Sequence, residues 1–282
     1  MFKIIAKKQL NAVTTWLDIE APHIAKKALP GQFIIFRIDE EGERVPLTIA
    51  DTDKERGTVT IIFQQIGRST KMLASLNEGD HVQDFVGPLG VATHVDSSVK
   101  KVCVVGGGVG CAIAYPQAKF LFNSGLEVDI IAGFRNKDMV ILEDEMSAVA
   151  TNYYLTTDDG SYGEQDFVTD KLKSLIDGGR DYDLVIAIGP IPMMKFVSKT
   201  TEPYNIHTLV SLNPIMIDGT GMCGGCRVTV GGEFKFACVD GPDFDGHKVD
   251  FDELMRRNNF YKNQETHDRD NCRLLNGGCN NA

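Results

Sequence analysis

The sequence predicts a chain of mixed class, all-β at its start and α/β beyond, in three parts. These are an antiparallel β-barrel, a parallel-sheet domain and a small cysteine module. Three observations lead there. Short β-prone runs punctuated by Gly, Pro and charged turns fill the first 95 or so positions. A continuous apolar strand, Lys101–Val105, then closes on Gly106-Gly107-Gly108-Val109-Gly110 and opens into a helical stretch. Finally, three of the seven cysteines crowd into one glycine-rich segment, Asp218 to Cys238.

In the first part, 1–97, the runs Trp16–Ile19, Gln32–Ile38 and Thr58–Phe63 read as strands, and Ser69–Leu76 as a helix with Thr70, Leu73 and Ala74 on one face. Gly87-Pro88-Leu89-Gly90 marks a sharp turn before a polar connector at Asp96-Ser97-Ser98. In the second part, 98–212, the helix spans Cys111–Asn123, and Val128–Ala132 and Leu184–Ile188 are further apolar strands, the last closed by Gly189-Pro190. Apolar strands alternating with helices read as a parallel sheet covered on both faces. The third part, 213–282, holds the cysteines, a short helix near Phe251–Arg257 and a polar tail.

Composition narrows the function. A length of 282 residues allows two or three domains, and 43% hydrophobic content suffices for their cores. A net charge of −10 argues against a nucleic-acid partner. No run approaches the ~18 apolar residues of a membrane helix, and the start, Met-Phe-Lys-Ile-Ile-Ala-Lys-Lys, lacks a signal-peptide core. An odd cysteine count, with Cys103, Cys111, Cys272 and Cys279 outside the crowded segment, fits a reducing compartment. The expectation is a cytoplasmic protein with no membrane contact.

Cys223 and Cys226 form a C-x2-C pair, and Cys238 follows after eleven intervening residues. Plant-type [2Fe–2S] proteins space ligands C-x4-C-x2-C with a distant fourth, and that rule places Asp218 at the first position. A carboxylate oxygen binds ferric iron and carries the same single charge as a thiolate. Two other readings fit the spacing: a zinc knuckle of three cysteines with or without the aspartate, and a glycine-rich turn with buried thiols. The glycine turn at 106–110 suits a pyrophosphate at a helix N-terminus, although Cys111 stands where G-x-G-x-x-G wants its third glycine. Arg44-Val45-Pro46-Leu47-Thr48 offers a phosphate fork, a rigid apolar platform and a hydroxyl, which are the needs of a flavin, or is an exposed β-edge. Gly67-Arg68-Ser69-Thr70 opens the first helix with hydroxyls that serve a phosphate or a plain N-cap. The histidines show no metal spacing, and the absence of G-x-S-x-G and P-loop motifs leaves a hydrolase or NTPase without support.

The order R-x-P-L-T barrel, triple-glycine sheet domain and cysteine loop resembles the ferredoxin–NADP reductase superfamily. Within it, the chain is similar to the electron-transfer subunits of B-type dihydroorotate dehydrogenase and to their relatives, the small subunits of NADH-dependent ferredoxin:NADP oxidoreductase and of sulfide dehydrogenase. The resemblance covers residues 1–255 and is most specific over Ser211–Val228 and Phe236–Pro242. An aspartate at position 218 marks the transhydrogenase and sulfide dehydrogenase relatives, since dihydroorotate dehydrogenase subunits carry cysteine there.

The resemblance implies an FAD-binding barrel, a Rossmann-like NAD(P)-binding domain and a [2Fe–2S] module. It places Arg44, Pro46, Leu47 and Thr48 on the flavin, with Gly67, Arg68, Ser69 and Thr70 on its pyrophosphate. Gly106, Gly107, Gly108 and Gly110 line the nicotinamide nucleotide's phosphates, Gly133-Phe134-Arg135 faces its adenine ribose, and Gly189, Pro190 and Met193 close its nicotinamide side. Asp218, Cys223, Cys226 and Cys238 ligate the cluster. The family's cysteine near the nicotinamide is unmatched at Ala187. With no organic-substrate site and no second cluster, electrons leave to a partner. The resemblance implies a larger subunit with a second flavin and [4Fe–4S] clusters, reaching ferredoxin and capable of flavin-based bifurcation. A zinc-stapled redox sensor or binding module is the alternative from another class.

Overall fold

The computed structural model describes residues 1–260; the polar tail, with Cys272 and Cys279, lies outside the described residues. The barrel comprises β1 (Phe2–Asn11), β2 (Thr14–Glu20), α1 (Pro22–Ala25), β3 (Phe33–Arg37), β4 (Val45–Asp53), β5 (Thr58–Gln64), α2 (Arg68–Ser75), β6 (His81–Val82) and β7 (Asp84–Leu89). Its seven strands form one antiparallel sheet in the order β6-β1-β2-β5-β4-β3-β7. The edge strands β6 and β7 are separated by a single residue, so the chain itself draws the two edges together into a nearly closed barrel. Ile4, Leu17, Ile34, Phe36, Ile61 and Phe63 fill the interior. Closure also removes most of the unpaired edge that a flat sheet would expose.

The second sheet is built from β8 (Lys101–Gly107), α3 (Gly110–Asn123), β9 (Glu127–Phe134), α4 (Glu143–Ser147), β10 (Asn152–Thr157), β11 (Glu164–Gln165), α5 (Val168–Asp177), β12 (Leu184–Ile188), α6 (Ile191–Thr201) and β13 (His207–Ser211). Through these strands its order, β11-β10-β9-β8-β12-β13, is parallel. Val102 and Val104 pack into one hydrophobic cluster while Cys103 and Val105 pack into another, so β8 is buried on both faces as its unbroken apolar run predicts. Because β9 and β12 flank β8, the strand order reverses beside the glycine turn. Open α/β sheets bind ligands in the crevice at such a switch point.

The cysteine segment contributes the hairpin β14 (Arg227–Val230) and β15 (Glu233–Phe236), then β16 (Asp243–Asp245) and α7 (Phe251–Asn258). One feature departs from expectation: β16 returns to the nucleotide sheet and pairs antiparallel with β13. The sheet is therefore mixed, and a boundary at 212/213 cuts across it. Leu212 N–H donates to Pro242 O at 2.9 Å, pinching the two ends of the intervening loop together.

All three parts share one core. Phe33 and Ile35 of the barrel, Val105 and Val185 of the sheet, and Met216, Cys226 and Cys238 of the loop belong to a single buried cluster. Each fully buried side chain of the larger apolar types contributes about 1.5–3 kcal/mol, which fixes the parts relative to one another. Lys119 on α3 adds a bridge to Asp51 on β4 at 2.7 Å. No described helix is long and apolar enough to cross a membrane.

Candidate functional site

A cavity of about 690 Å³ opens where barrel, sheet and cysteine segment meet. That lies within the range of about 300–1,000 Å³ typical of ligand sites. One wall is β4, through Pro46, Leu47 and Thr48, with Gly67, Arg68, Ser69 and Thr70 at the start of α2. The facing wall is the glycine turn, through Gly107, Gly108 and Gly110, with Arg135, Gly189 and Pro190. Ser211, Asn213, Pro214, Met216 and Pro242 form a third wall that the spacing arguments did not single out. The Ser211-Leu-Asn-Pro run that leads into the aspartate loop was the available signal.

Local chemistry explains each wall. At α2 the Thr70 hydroxyl oxygen accepts from Gly67 N–H at 3.2 Å and Ile66 N–H at 3.1 Å, so this residue braces its own helix start. The Ser69 hydroxyl donates to the Glu43 carboxylate. The positive end of a helix dipole at this wall favours an anion. At the opposite wall, Gly110 packs where no side chain fits: an added Cβ would lie 2.8 Å from Gly189 Cα and closer still to the Ile188 carbonyl oxygen. The glycine lets the turn sit flush against the end of β12.

Five expected residues are not on the cavity wall, among them Phe134, which is buried in the core. Gly106 sits under Cys111, and Gly133 abuts Val168 while its carbonyl accepts Gly108 N–H at 2.8 Å. Met193 packs its sulfur against Gly107 and Gly189. Arg44 turns to the cysteine segment, where Nε donates to Ile217 O at 2.7 Å and Nη2 approaches Asp218 O at 3.4 Å. Two main-chain carbonyls draw its guanidinium there.

The loop of Asp218 to Cys226 curls tightly, with Gly219, Gly221 and Gly224 all at positive φ. It is seated on the barrel, since a Cβ at Gly219 would come within 2.7 Å of Ile35 and 2.8 Å of Leu89. Asp218 accepts N–H bonds from Thr220 at 3.1 Å and from Met222 and Cys223 at 3.0 Å. The Thr220 N–H foremost, then the Cys223 thiol and N–H, hold its pKa down to about 2, so the group is a carboxylate at any physiological pH.

The four donors fall into two pairs. Cys223 Sγ lies 3.4 Å from Asp218 Oδ1, and Cys226 Sγ lies 3.2 Å from Cys238 Sγ. Among the described residues no group of three or more such side chains converges on one point. A single zinc ion needs that convergence, whereas a two-iron cluster takes two ligands on each iron. The donor set therefore fits [2Fe–2S]. Burial, reinforced by Cys226, pushes the Cys238 thiol up to about 12, so a bound iron would have to draw off this proton by its own charge. Gly225 N–H points to Cys223 Sγ at 3.4 Å, the type of contact that tunes a cluster's potential. An Asp218→Cys chain is expected to keep a cluster of shifted reduction potential, measured by EPR-monitored titration. Loss of the cluster would mean that carboxylate size, rather than charge, is what the loop requires.

Residues 213–250 match the model of the iron–sulfur cluster binding domain of dihydroorotate dehydrogenase B. The electron transfer subunit homolog of dihydroorotate dehydrogenase B from Thermotoga maritima is 46% identical over 247 residues, 88% of this chain and 86% of its own length. The electron transfer subunit from Geobacillus thermodenitrificans is 32% identical over 254 residues, 87% of this chain and 96% of that one.

The chain belongs to the dihydroorotate dehydrogenase B electron-transfer subunit family.

A solved member of this structural group comes from NADH-dependent reduced ferredoxin-NADP oxidoreductase, studied for flavin-based electron bifurcation. It superposes with a TM-score of 0.91 at 42% identity over 98% of both chains. Family membership makes the chain an electron-transferring oxidoreductase subunit, with an iron–sulfur binding domain set into the edge of its nucleotide sheet. The barrel-plus-sheet architecture and the resemblance read from the sequence agree with this.

Proposed function

We propose that the chain takes electrons from NAD(P)H through bound FAD and passes them singly, through a [2Fe–2S] cluster, to a larger partner subunit, as in NADH-dependent ferredoxin-NADP oxidoreductase. The observation that carries the reading is the single cavity walled jointly by β4 and α2, the glycine turn and the cluster-bearing segment. FAD supplies the chemistry that side chains lack, accepting a hydride and yielding electrons one at a time. The protein's contribution is positioning. Pro46, Leu47 and Thr48 hold the flavin ring, and Arg68, Ser69 and the start of α2 hold its phosphates. Gly107, Gly108 and Gly110 admit the nucleotide's phosphates, while Gly189 and Pro190 lie beside the nicotinamide. Asp218, Cys223, Cys226 and Cys238 hold the cluster.

The partner meets the cluster at its exposed rim. Ile217, Met222 and Val239, each adjacent to a donor, are 51%, 87% and 41% exposed. Large apolar side chains left in water beside an electron exit suit a protein interface. The larger subunit carries a second flavin and [4Fe–4S] clusters and hands electrons to ferredoxin. Co-purification with a pyrimidine-oxidising barrel subunit would instead favour the dihydroorotate dehydrogenase role that most named relatives hold. The test is anaerobic purification with the partner, counting flavin and iron, then adding NADH. Bleaching of the flavin and a two-iron EPR signal support the proposal; iron-free or flavin-free protein refutes it.

Arg135 lies on the cavity at the end of β9, where a 2′-phosphate pairs with arginine in nucleotide-binding sheets. Arg135→Ala is expected to weaken NADPH by about 10- to 100-fold, the worth of a hydrogen bond to a charged group, with NADH little changed. Equal losses in the two dissociation constants would exclude the pairing.

A further inference from the structure

The Asp243 carboxyl lies at the seam of barrel and nucleotide sheet, and the electron path above does not use it. In the β13–β16 ladder Asp243 stands opposite Ser211, so both side chains project from the same face. The Thr93 hydroxyl of the connector donates to Oδ2 at 2.6 Å, and Gln117 Nε2 of α3 reaches the same oxygen at 3.4 Å. Ser211, opposite it in the ladder, is the third polar side chain beside the carboxyl. Backbone of the barrel closes the cage, since a Cβ at Gly31 would meet Thr93 and lie 3.3 Å from Asp243 Oδ2. Although the residue keeps some exposure, its Oδ1 is sealed from solvent and has no hydrogen-bond partner, and the same holds for Gln117 Oε1.

Two buried acceptors without a donor form a costly arrangement. A proton on the carboxyl relieves it by turning an acceptor into a donor. Burial raises the carboxyl's pKa, against the lowering effect of Thr93, Ser211 and Gln117, and no charged group contributes. Charged groups on the same elements are engaged elsewhere: Lys119 of α3 with Asp51, Asp245 of β16 with Lys248 at 3.0 Å, and His94 of the connector near Asp96. Ser211 and Pro242, on either side of this cage, also line the cavity.

The chemistry of the cavity calls for such a group. NAD(P)H oxidised there yields NAD(P)⁺, one proton and two electrons. The electrons leave singly for a one-electron acceptor, so one proton per nucleotide stays behind and must be carried off. We propose that Asp243 is the residue that holds this proton and that the Ser211 hydroxyl, opposite it in the ladder, carries it across. Ser211 Oγ takes the proton from the cavity as its own passes to the Asp243 carboxylate. The acid then releases it past Thr93 toward the exposed connector. This rests on the proposed occupancy of the cavity by flavin.

The test uses the purified heteromeric complex with Asp243→Asn, Asp243→Glu and Ser211→Ala. In each, FAD content, hydride arrival from NADH, and electron exit to ferricyanide are followed by stopped flow across pH. With Asn or Ala, exit is expected to slow about 10²-fold relative to arrival, the lower range of general acid–base effects. The ionisation in the wild-type exit profile should vanish and its solvent isotope effect fall, with Glu restoring both. Flavin-loaded variants with the wild-type profile overturn the proposal. Should Asp243→Asn fail to load flavin, Ser211→Ala decides on the same criterion. A wild-type complex without FAD overturns the underlying reading as well, so the two failures are told apart by the protein's colour.

Discussion

A Cys226→Ser chain is expected to keep its flavin chemistry and lose its electron exit. Cys226 and Cys238 are each 1% exposed and lie 3.2 Å apart. Serine's hydroxyl is smaller than the thiol it replaces, ionises far less readily and is a poor partner for iron beside an already buried thiol. Iron content should fall to background, and the two-iron EPR signal with it. NADH should still bleach the flavin, because the walls at β4, α2 and the glycine turn share no side chain with the donor set. Electron delivery to the partner should therefore drop to background while two-electron dye reduction persists. Retention of a normal signal in the serine chain would show that Cys226 is not a ligand.

Gly110→Ala should be a strongly damaging substitution. The clash is with backbone, at Ile188 and Gly189, and neither can step aside without shifting β12 or Pro190. Overpacking of this kind costs about 1–3 kcal/mol. For a chain of this size that lowers Tm by several degrees. Because the displaced atoms are those of the nucleotide wall, the KM for NADH should rise together with the loss of stability. Gly67→Ala is the control, since an added Cβ there meets nothing within 4 Å. Equal melting temperatures for the two variants would contradict this packing account.

Much of this was legible in the residues. The barrel strands and the parallel strands declared themselves through β-prone runs and unbroken apolar stretches, and α3 begins at Gly110, one residue before the expected start. Asp218 and Cys223, and Cys226 and Cys238, come together in pairs as their local spacing allows. What escaped the sequence depends on partners distant along the chain. β16 has one apolar residue among three, Asp243-Phe244-Asp245, and is a strand only because β13 offers it an edge. The direction of Arg44 is decided by the carbonyls of Ile217 and Asp218, some 170 positions away. Glu43 and Asn213 reach the cavity wall through tertiary closure, which no motif announces.

The hydrogen bond from Leu212 to Pro242 gives the cysteine segment an anchor at each end. The redox centre is thus mounted like a stone in a ring, not hung on a tether. A centre so held does not swing out to fetch an acceptor, and on the proposed electron path whatever collects the electrons travels to it and docks.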